Sequence, residues 1–201
     1  MDQLSPRDQT YGRVRLALIG AGHAHLEIIR RLILSTRVSS PSEPWAELTL
    51  VSLSDKHHYS GMVPGYLSGT YREDEIAFDL PPLAYAAGGE FLQSRALGID
   101  TSSRVVHLEG GKTLAYDLVS FNLGSRTLGG EVALPHAALV KPMSQAVGLR
   151  RRILQLAHRR AAENRHAVVV GGGSAGVEVA CALAAILDEA GCGRDVWILE
   201  A

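Results

Sequence analysis

Only two cysteines occur in 201 residues, and aromatic side chains make up just 5% of the chain. Cys181 and Cys192 form neither a C-x-x-C nor a C-x-x-x-x-C pair, which excludes a disulfide framework and suits a reducing compartment. Neither sign of charge prevails. Twenty Lys and Arg residues against 21 Asp and Glu leave a formal net charge of -1, so no global field draws in polyanions, and a nucleic-acid partner is not expected. Long apolar runs are also missing. Leu16–Ala21 and Val179–Leu187 fall well short of the roughly 18 residues that cross a bilayer. The first 15 residues are polar, without the apolar stretch of a secretory signal. Residues 1–12 are expected to be flexible and the setting cytoplasmic.

What the chain does have is glycine, 21 residues of it, within a 46% hydrophobic composition that can bury a substantial core. Val14–Ile19 is a short apolar run that stops at Gly20-Ala21-Gly22, the mark of a buried parallel strand entering a turn. Leu26, Ile29, Leu32 and Ile33 then recur at helical spacing. A loop over Thr36–Glu47 leads to a second strand at Leu48–Val51. Together these form a βαβ unit. Asp55–Tyr71 reads as a turn-rich segment, and Ile76–Ala87 as a short helix interrupted at Pro81-Pro82. Strands are expected at Glu90–Ser94, Arg104–Leu108, Thr113–Leu114 and Asp117–Asn122. Arg126–Pro142 carries Gly129, Gly130, Pro135 and Pro142 and reads as a linker. A helix capped by Ser144 should run to about Asn164, followed by a strand at Ala167–Val170, a helix through Leu187 and a strand at Asp195–Leu199. The Arg150-Arg151-Arg152 run reads as a solvated face.

The strand–turn–helix module begins twice. Gly20-Ala21-Gly22-His23-Ala24-His25 aligns with Gly171-Gly172-Gly173-Ser174-Ala175-Gly176. In a dinucleotide turn the first glycine makes the bend, the second lets the backbone approach a pyrophosphate, and the third lets helix and strand pack closely. Gly171, Gly173 and Gly176 fill all three places. Glu200 ends the following strand, where a carboxylate takes hydrogen bonds from an adenosine ribose and repels a 2′-phosphate, so NADH is preferred over NADPH. The first turn has Gly20 and Gly22, but His25 in the third place and Ser52, not an acid, at the end of the next strand. A side chain at the third place should push the helix off the strand. Glu27 reads as an acid favoured by the helix dipole, and Cys181 as a small core residue. His23, His25, His57 and His58 form an H-x-H pair and a distant H-H pair, a spacing with no established zinc geometry, so no metal is assigned.

Four segments together resemble a known family: Gly20-Ala21-Gly22-His23-Ala24-His25, Tyr59-Ser60-Gly61-Met62-Val63-Pro64-Gly65, Tyr116-Asp117-Leu118-Val119-Ser120-Phe121-Asn122-Leu123-Gly124-Ser125, and Gly171-Gly172-Gly173-Ser174-Ala175-Gly176-Val177-Glu178. The chain from Val14 onward resembles flavoproteins of the pyridine nucleotide-disulfide oxidoreductase type. It is most similar to the type II NADH dehydrogenase-like branch and to the flavoprotein domain fused to selenide, water dikinase. The resemblance implies an α/β, Rossmann-like FAD/NAD(P)-binding fold with a three-layer ββα organisation. It implies an FAD domain over residues 1–125, a linker over 126–143 and, over 144–201, the start of an NAD(P)H domain that is incomplete at Ala201.

Carried across, Gly20, Gly22, His23 and Ala24 would line the FAD pyrophosphate, with Ala21 and His25 of the same turn also counted as cofactor-binding, Ser52 near the ribose and Ala96 by its backbone near the adenine. Met62, Val63 and Pro64 would approach the isoalloxazine. Gly124 and Ser125 would end the flavin-side strand. Gly171, Gly172, Gly173, Ser174, Ala175 and Gly176 would hold NAD(P)H, with Glu178 near the nicotinamide and Glu200 at the ribose. The implied activity is an FAD-dependent NAD(P)H oxidoreductase passing electrons to a small-molecule acceptor such as a quinone. The disulfide reductases' C-x-x-x-x-C is absent from Asp55–Gly69, so direct reduction of a disulfide is not expected. A nucleotide-binding regulatory or partner module without turnover is the alternative. The resemblance also admits peripheral membrane contact and a homo-oligomer.

Overall fold

A computed structural model describes residues 13–38, 46–127, 130, 137–159, 166–193 and 195–200. The expectations for residues 1–12, for most of the linker's middle and for Asn164 lie outside them. The chain divides into two compact units, one built from the chain up to His57 with Asp79–Gly124, the other from His58–Phe78 with the chain from Ser125 onward.

In the first unit, β1 (Val14–Ile19) leads through a glycine turn into α1 (His23–Val38), and the chain returns as β2 (Ala46–Ser52). After β3 (Lys56–His58) it leaves this unit, and it comes back through β4 (Ala77–Asp79) into α3 (Leu80–Ala86). Then follow β5 (Glu90–Gln93), β6 (Ala96–Asp100), β7 (Val105–Leu108), β8 (Thr113–Ala115) and β9 (Leu118–Phe121). The main sheet is parallel, in the order β5-β2-β1-β9. Strand alternation divides its side chains between two layers. Leu16, Leu18, Leu48 and Leu50 pack against Ile29 and Leu32 of α1 and Leu80 and Ala84 of α3. Ala17, Ile19 and Val51 face the other way, onto Val106 and Leu108 of the antiparallel β6-β7-β8 sheet and onto Tyr116 just after it. The expected ββα layering is therefore present.

Pro81 and Pro82 do not interrupt a helix; they begin one. Both stand in the first turn of α3, where a proline's missing N–H has no intrahelical partner to lose. β6 is not among the expected strands; its pairing with β7 shifts register between Ala96 and Gly98. Its sequence Ala96-Leu97-Gly98-Ile99-Asp100 has too little alternation to read as a strand.

The second unit contains α2 (Val63–Ser68), α4 (Met143–Arg159), β10 (His166–Val170), α5 (Ser174–Glu189) and β11 (Asp195–Leu199), with β10 and β11 paired in parallel. The Asp55–Tyr71 stretch thus holds a helix that its proline and glycines conceal. Val63, Tyr66 and Leu67 of α2 are buried against Ala146, Val179, Leu183 and Ile186. One side chain of α4 and one of α2 itself fasten this helix. Arg150 donates to the Leu67 carbonyl at 2.6 Å and to Glu189 at 2.9 Å, while the Tyr66 hydroxyl donates to the Val147 carbonyl at 3.0 Å. Arg150 is therefore not part of a solvated face, unlike the exposed Arg151 and Arg152. Helix α4 begins at Met143, one residue ahead of the expected Ser144 cap.

Arg15 of β1 and Asp117 clamp the start of the first unit's sheet. The Arg15 guanidinium donates to both carboxylate oxygens at 3.0 and 2.8 Å, and its backbone N–H donates to one of them at 2.9 Å. These bonds hold the Asp117 carboxyl well below its ordinary value of 3.8. The folded state therefore favours the ionised acid, a contribution complete above pH 3.8 and lost as the pH falls toward the depressed folded value. In urea unfolding, the stability gap between wild type and Asp117→Asn is expected to be constant from neutral pH to about pH 5 and to shrink below about pH 4. A gap independent of pH would refute this.

Candidate functional site

Both glycine turns are built on one plan. Gly20 and Gly171 adopt φ of +87° and +109°, values that suit glycine alone. Each donates its N–H to the end of the neighbouring strand, Gly20 to the Val51 carbonyl at 2.7 Å and Gly171 to the Leu199 carbonyl at 2.8 Å. Each turn then opens a helix of 16 residues, α1 or α5. The first N–H groups of such a helix have no intrahelical partner, and the helix dipole favours an anion there.

In the second turn a Cβ on Gly176 would lie 1.9 Å from the Gly171 carbonyl oxygen. The third glycine is thus required by direct contact between helix and turn. Gly173 is exposed, and a Cβ there would meet nothing within 4 Å, leaving open room above the backbone. Ser174 and Ala175 are also exposed. The Glu200 carboxylate reaches back from the end of β11 and accepts the Gly172 N–H.

In the first turn Ala21 is buried, while His23 and Ala24 are exposed on the first turn of α1. The Asn122 side chain lies where a Cβ on Gly22 would stand, 2.0 Å from its oxygen, and the Asn122 carbonyl accepts the Gly22 N–H at 3.3 Å. His25 is turned inward, 1% exposed. One ring nitrogen lies 2.7 Å from the Gly20 carbonyl and the other 2.9 Å from the Ser120 hydroxyl. His23 instead meets His57 edge to face, with ring centroids 5.5 Å apart. Among the described residues no group of three or more His, Cys, Asp or Glu is arranged to hold a metal.

The remaining expected positions are spread out. Ser52 ends β2 and Ala96 begins β6, both half-buried. Gly124 has φ +77°, and Ser125 accepts a hydrogen bond from the Lys141 ammonium at 2.9 Å. Met62 ends a short 3-10 turn, Val63 is buried, and Pro64 stands in the first turn of α2. Pro64 and Glu178, expected on the flavin and nicotinamide sides respectively, line one cavity of about 370 Å³ in the second unit, together with Gly65, Ser68, Val177 and Cys181.

Two acid and thiol expectations are corrected. Cys181 is exposed, because Val179, Ala180, Ala182, Leu183 and Ile186 take the buried face of α5 and residue 181 falls outside that stripe. The buried thiol is Cys192. Glu27 lies beyond the first turn of α1 and pairs with Arg30 and Arg31 at 2.6 and 2.8 Å, which brings its pKa down to about 2. Sequence reasoning gave no role to Ser120 or to the Asn122 side chain. Their contacts join positions about a hundred residues apart, and no local pattern signals them.

Residues 14–201 match the family model of the pyridine nucleotide-disulphide oxidoreductases, and the chain belongs to that family. No curated protein matches it. Among solved structures it is similar to the sulfide:quinone oxidoreductase of the hyperthermophilic bacterium Aquifex aeolicus, with 21% identity and a TM-score of 0.70 over 93% of this chain and 43% of that one. It is also similar to NDH2 from Plasmodium falciparum, with 16% identity and a TM-score of 0.74 over 94% and 41% of the two chains. A third match is the putidaredoxin reductase of a covalent complex with putidaredoxin, with 20% identity and a TM-score of 0.67 over 92% and 42%. The chain thus spans less than half the length of these structures. Among the described residues no helix is long and apolar enough to cross a membrane.

The second turn yields a direct test. Alanine has the higher helix propensity, yet Gly176→Ala is expected to destabilise the protein by about 1–3 kcal/mol through overpacking. Gly173→Ala should cost less than about 1 kcal/mol, the scale of a changed N-cap. Urea titration of both variants checks the order, and equal stabilities would contradict the packing argument.

Proposed function

We propose that this chain supplies the nucleotide-binding framework of an FAD-dependent NAD(P)H oxidoreductase, with FAD at the first glycine turn and NADH at the second. The observation that carries the reading is the pair of like turns, each placing a helix start at the end of a buried parallel strand. Their residues fit dinucleotides. The room above Gly173 suits a pyrophosphate, and the exposed His23 and Ala24 flank the equivalent place at the first turn. Glu200, held at the turn by Gly172, would meet ribose hydroxyls and repel a 2′-phosphate, which favours NADH over NADPH. Ser52 replaces the ribose acid on the flavin side and can offer only a hydroxyl.

When bound, the two cofactors supply hydride transfer from nicotinamide to flavin, after which electrons leave to an acceptor such as a quinone. The chain's own part is binding and orientation. The cavity shared by Pro64 and Glu178 supports the assignment of these residues to the reacting ends of the cofactors, with Pro64 and Val177 as apolar lining and Glu178 beside the nicotinamide. No side chain is asked to act as a nucleophile, in keeping with the absence of cysteine from Asp55–Gly69. A quinone is named in the Aquifex aeolicus enzyme that shares this fold, and peripheral membrane contact belongs to the same proposal.

Anaerobic titration of the purified full-length protein with NADH is expected to bleach the visible flavin band, more readily than titration with NADPH. Protein that binds both nucleotides without bleaching would favour a regulatory module and sink the redox reading.

A further inference from the structure

The two turns differ at their third position, Gly176 in one and His25 in the other, and that difference assigns the imidazole a task. In the second turn the helix start sits directly on the Gly171 carbonyl, leaving no room for a Cβ. In the first, the equivalent carbonyl of Gly20 is met by the His25 ring at 2.7 Å. A carbonyl oxygen only accepts, so Nδ1 carries the proton, and in the neutral ring Nε2 accepts from the Ser120 hydroxyl at 2.9 Å. Both ring nitrogens are engaged, and burial opposes a second proton.

The strand that receives this contact also holds the other end of the turn. Ser120 lies in β9, and Asn122, two residues on, accepts the Gly22 N–H and covers Gly22 with its side chain. Residues two apart along an extended chain share a face. The end of β9 and the residue just after it therefore grip the turn at Gly20 through His25 and at Gly22 through Asn122.

We propose that His25 is a positioning residue for the nucleotide at the first turn: it does not touch the ligand, but clasps the Gly20 carbonyl to Ser120 and so fixes the turn whose N–H groups receive the phosphates. The proposal rests on the functional reading above. It predicts that restoring the usual glycine at this position does harm, because His25→Gly leaves the Gly20 carbonyl and the Ser120 hydroxyl without their shared partner and opens a void between helix and turn.

The test compares wild type, His25→Gly, His25→Asn and Ser120→Ala in the purified full-length protein by titrating flavin-stripped samples with FAD and separately with NADH. His25→Gly is expected to bind FAD at least about tenfold more weakly, with NADH affinity at the second turn kept within about twofold, as loss of a buried hydrogen-bonded clasp implies. His25→Asn, which keeps a donor near the Gly20 carbonyl, should recover part of the loss, and Ser120→Ala should lose less than His25→Gly. Unchanged or tighter FAD binding by His25→Gly overturns the proposal. A second measurement needs neither a variant nor a ligand: the imidazole ¹⁵N spectrum of the wild type should show a neutral ring at His25 protonated on Nδ1. The Nε2–H form overturns the clasp. Wild-type protein that takes up no FAD while showing the Nδ1–H ring overturns the flavin reading instead, and with it the ligand-side role given to His25.

Discussion

A parallel strand that hands its chain to a helix within three residues must reverse direction abruptly, and the carbonyl of the residue at the bend is then turned toward the incoming helix. That carbonyl is the constraint on which both halves of this chain depend. At Gly171 it is accommodated by the absence of a side chain at Gly176, so that backbone lies on backbone. At Gly20 an imidazole is interposed, and the helix is tied to β9 through Ser120. The two arrangements reach the same end by different chemistry: one relies on van der Waals contact, the other on a pair of hydrogen bonds shielded from water. Only with the bend fixed does a helix start stand at the end of the sheet with its N–H groups available to an anion.

The surrounding layers serve that geometry. Four buried leucines of β1 and β2 anchor α1 and α3 on one face of the first sheet, and the antiparallel sheet closes the other. Arg15 and Asp117 lock the opposite end of β1 to the start of β9. In the second unit α2 is too short to hold itself. It is fastened by the Arg150 guanidinium and by the Tyr66 hydroxyl, and its prolyl end becomes one wall of a cavity whose other wall is α5. The segment that looks most like a loop in sequence is thus the one that forms a wall of this open cavity.

Much of this was legible in the residues because it depends on neighbours along the chain. Apolar runs ending in glycine marked β1 and β10, helical spacing of Leu26, Ile29 and Leu32 marked α1, and the repeat of the glycine turn marked the two strand–turn–helix modules. The illegible parts have a common cause. Pro81-Pro82 reads as a break until the tertiary fold starts a helix there. Cys181 reads as core until the packed stripe of α5 is seen to pass beside it. Strand β6 has no alternation to reveal it and is defined by its pairing with β7.

Local order along the chain decided where the strands, the two bends and their glycines stand, since backbone freedom and side-chain periodicity act over a few residues. The fate of each polar group was decided by contacts across the fold. Whether His25 faces a ligand or the interior, whether Asn122 covers Gly22, and whether Arg150 meets water or Leu67 depends on partners about 80 to 100 residues away. A hydrogen bond needs an atom at about 3 Å, and only the folded chain brings such distant residues that close.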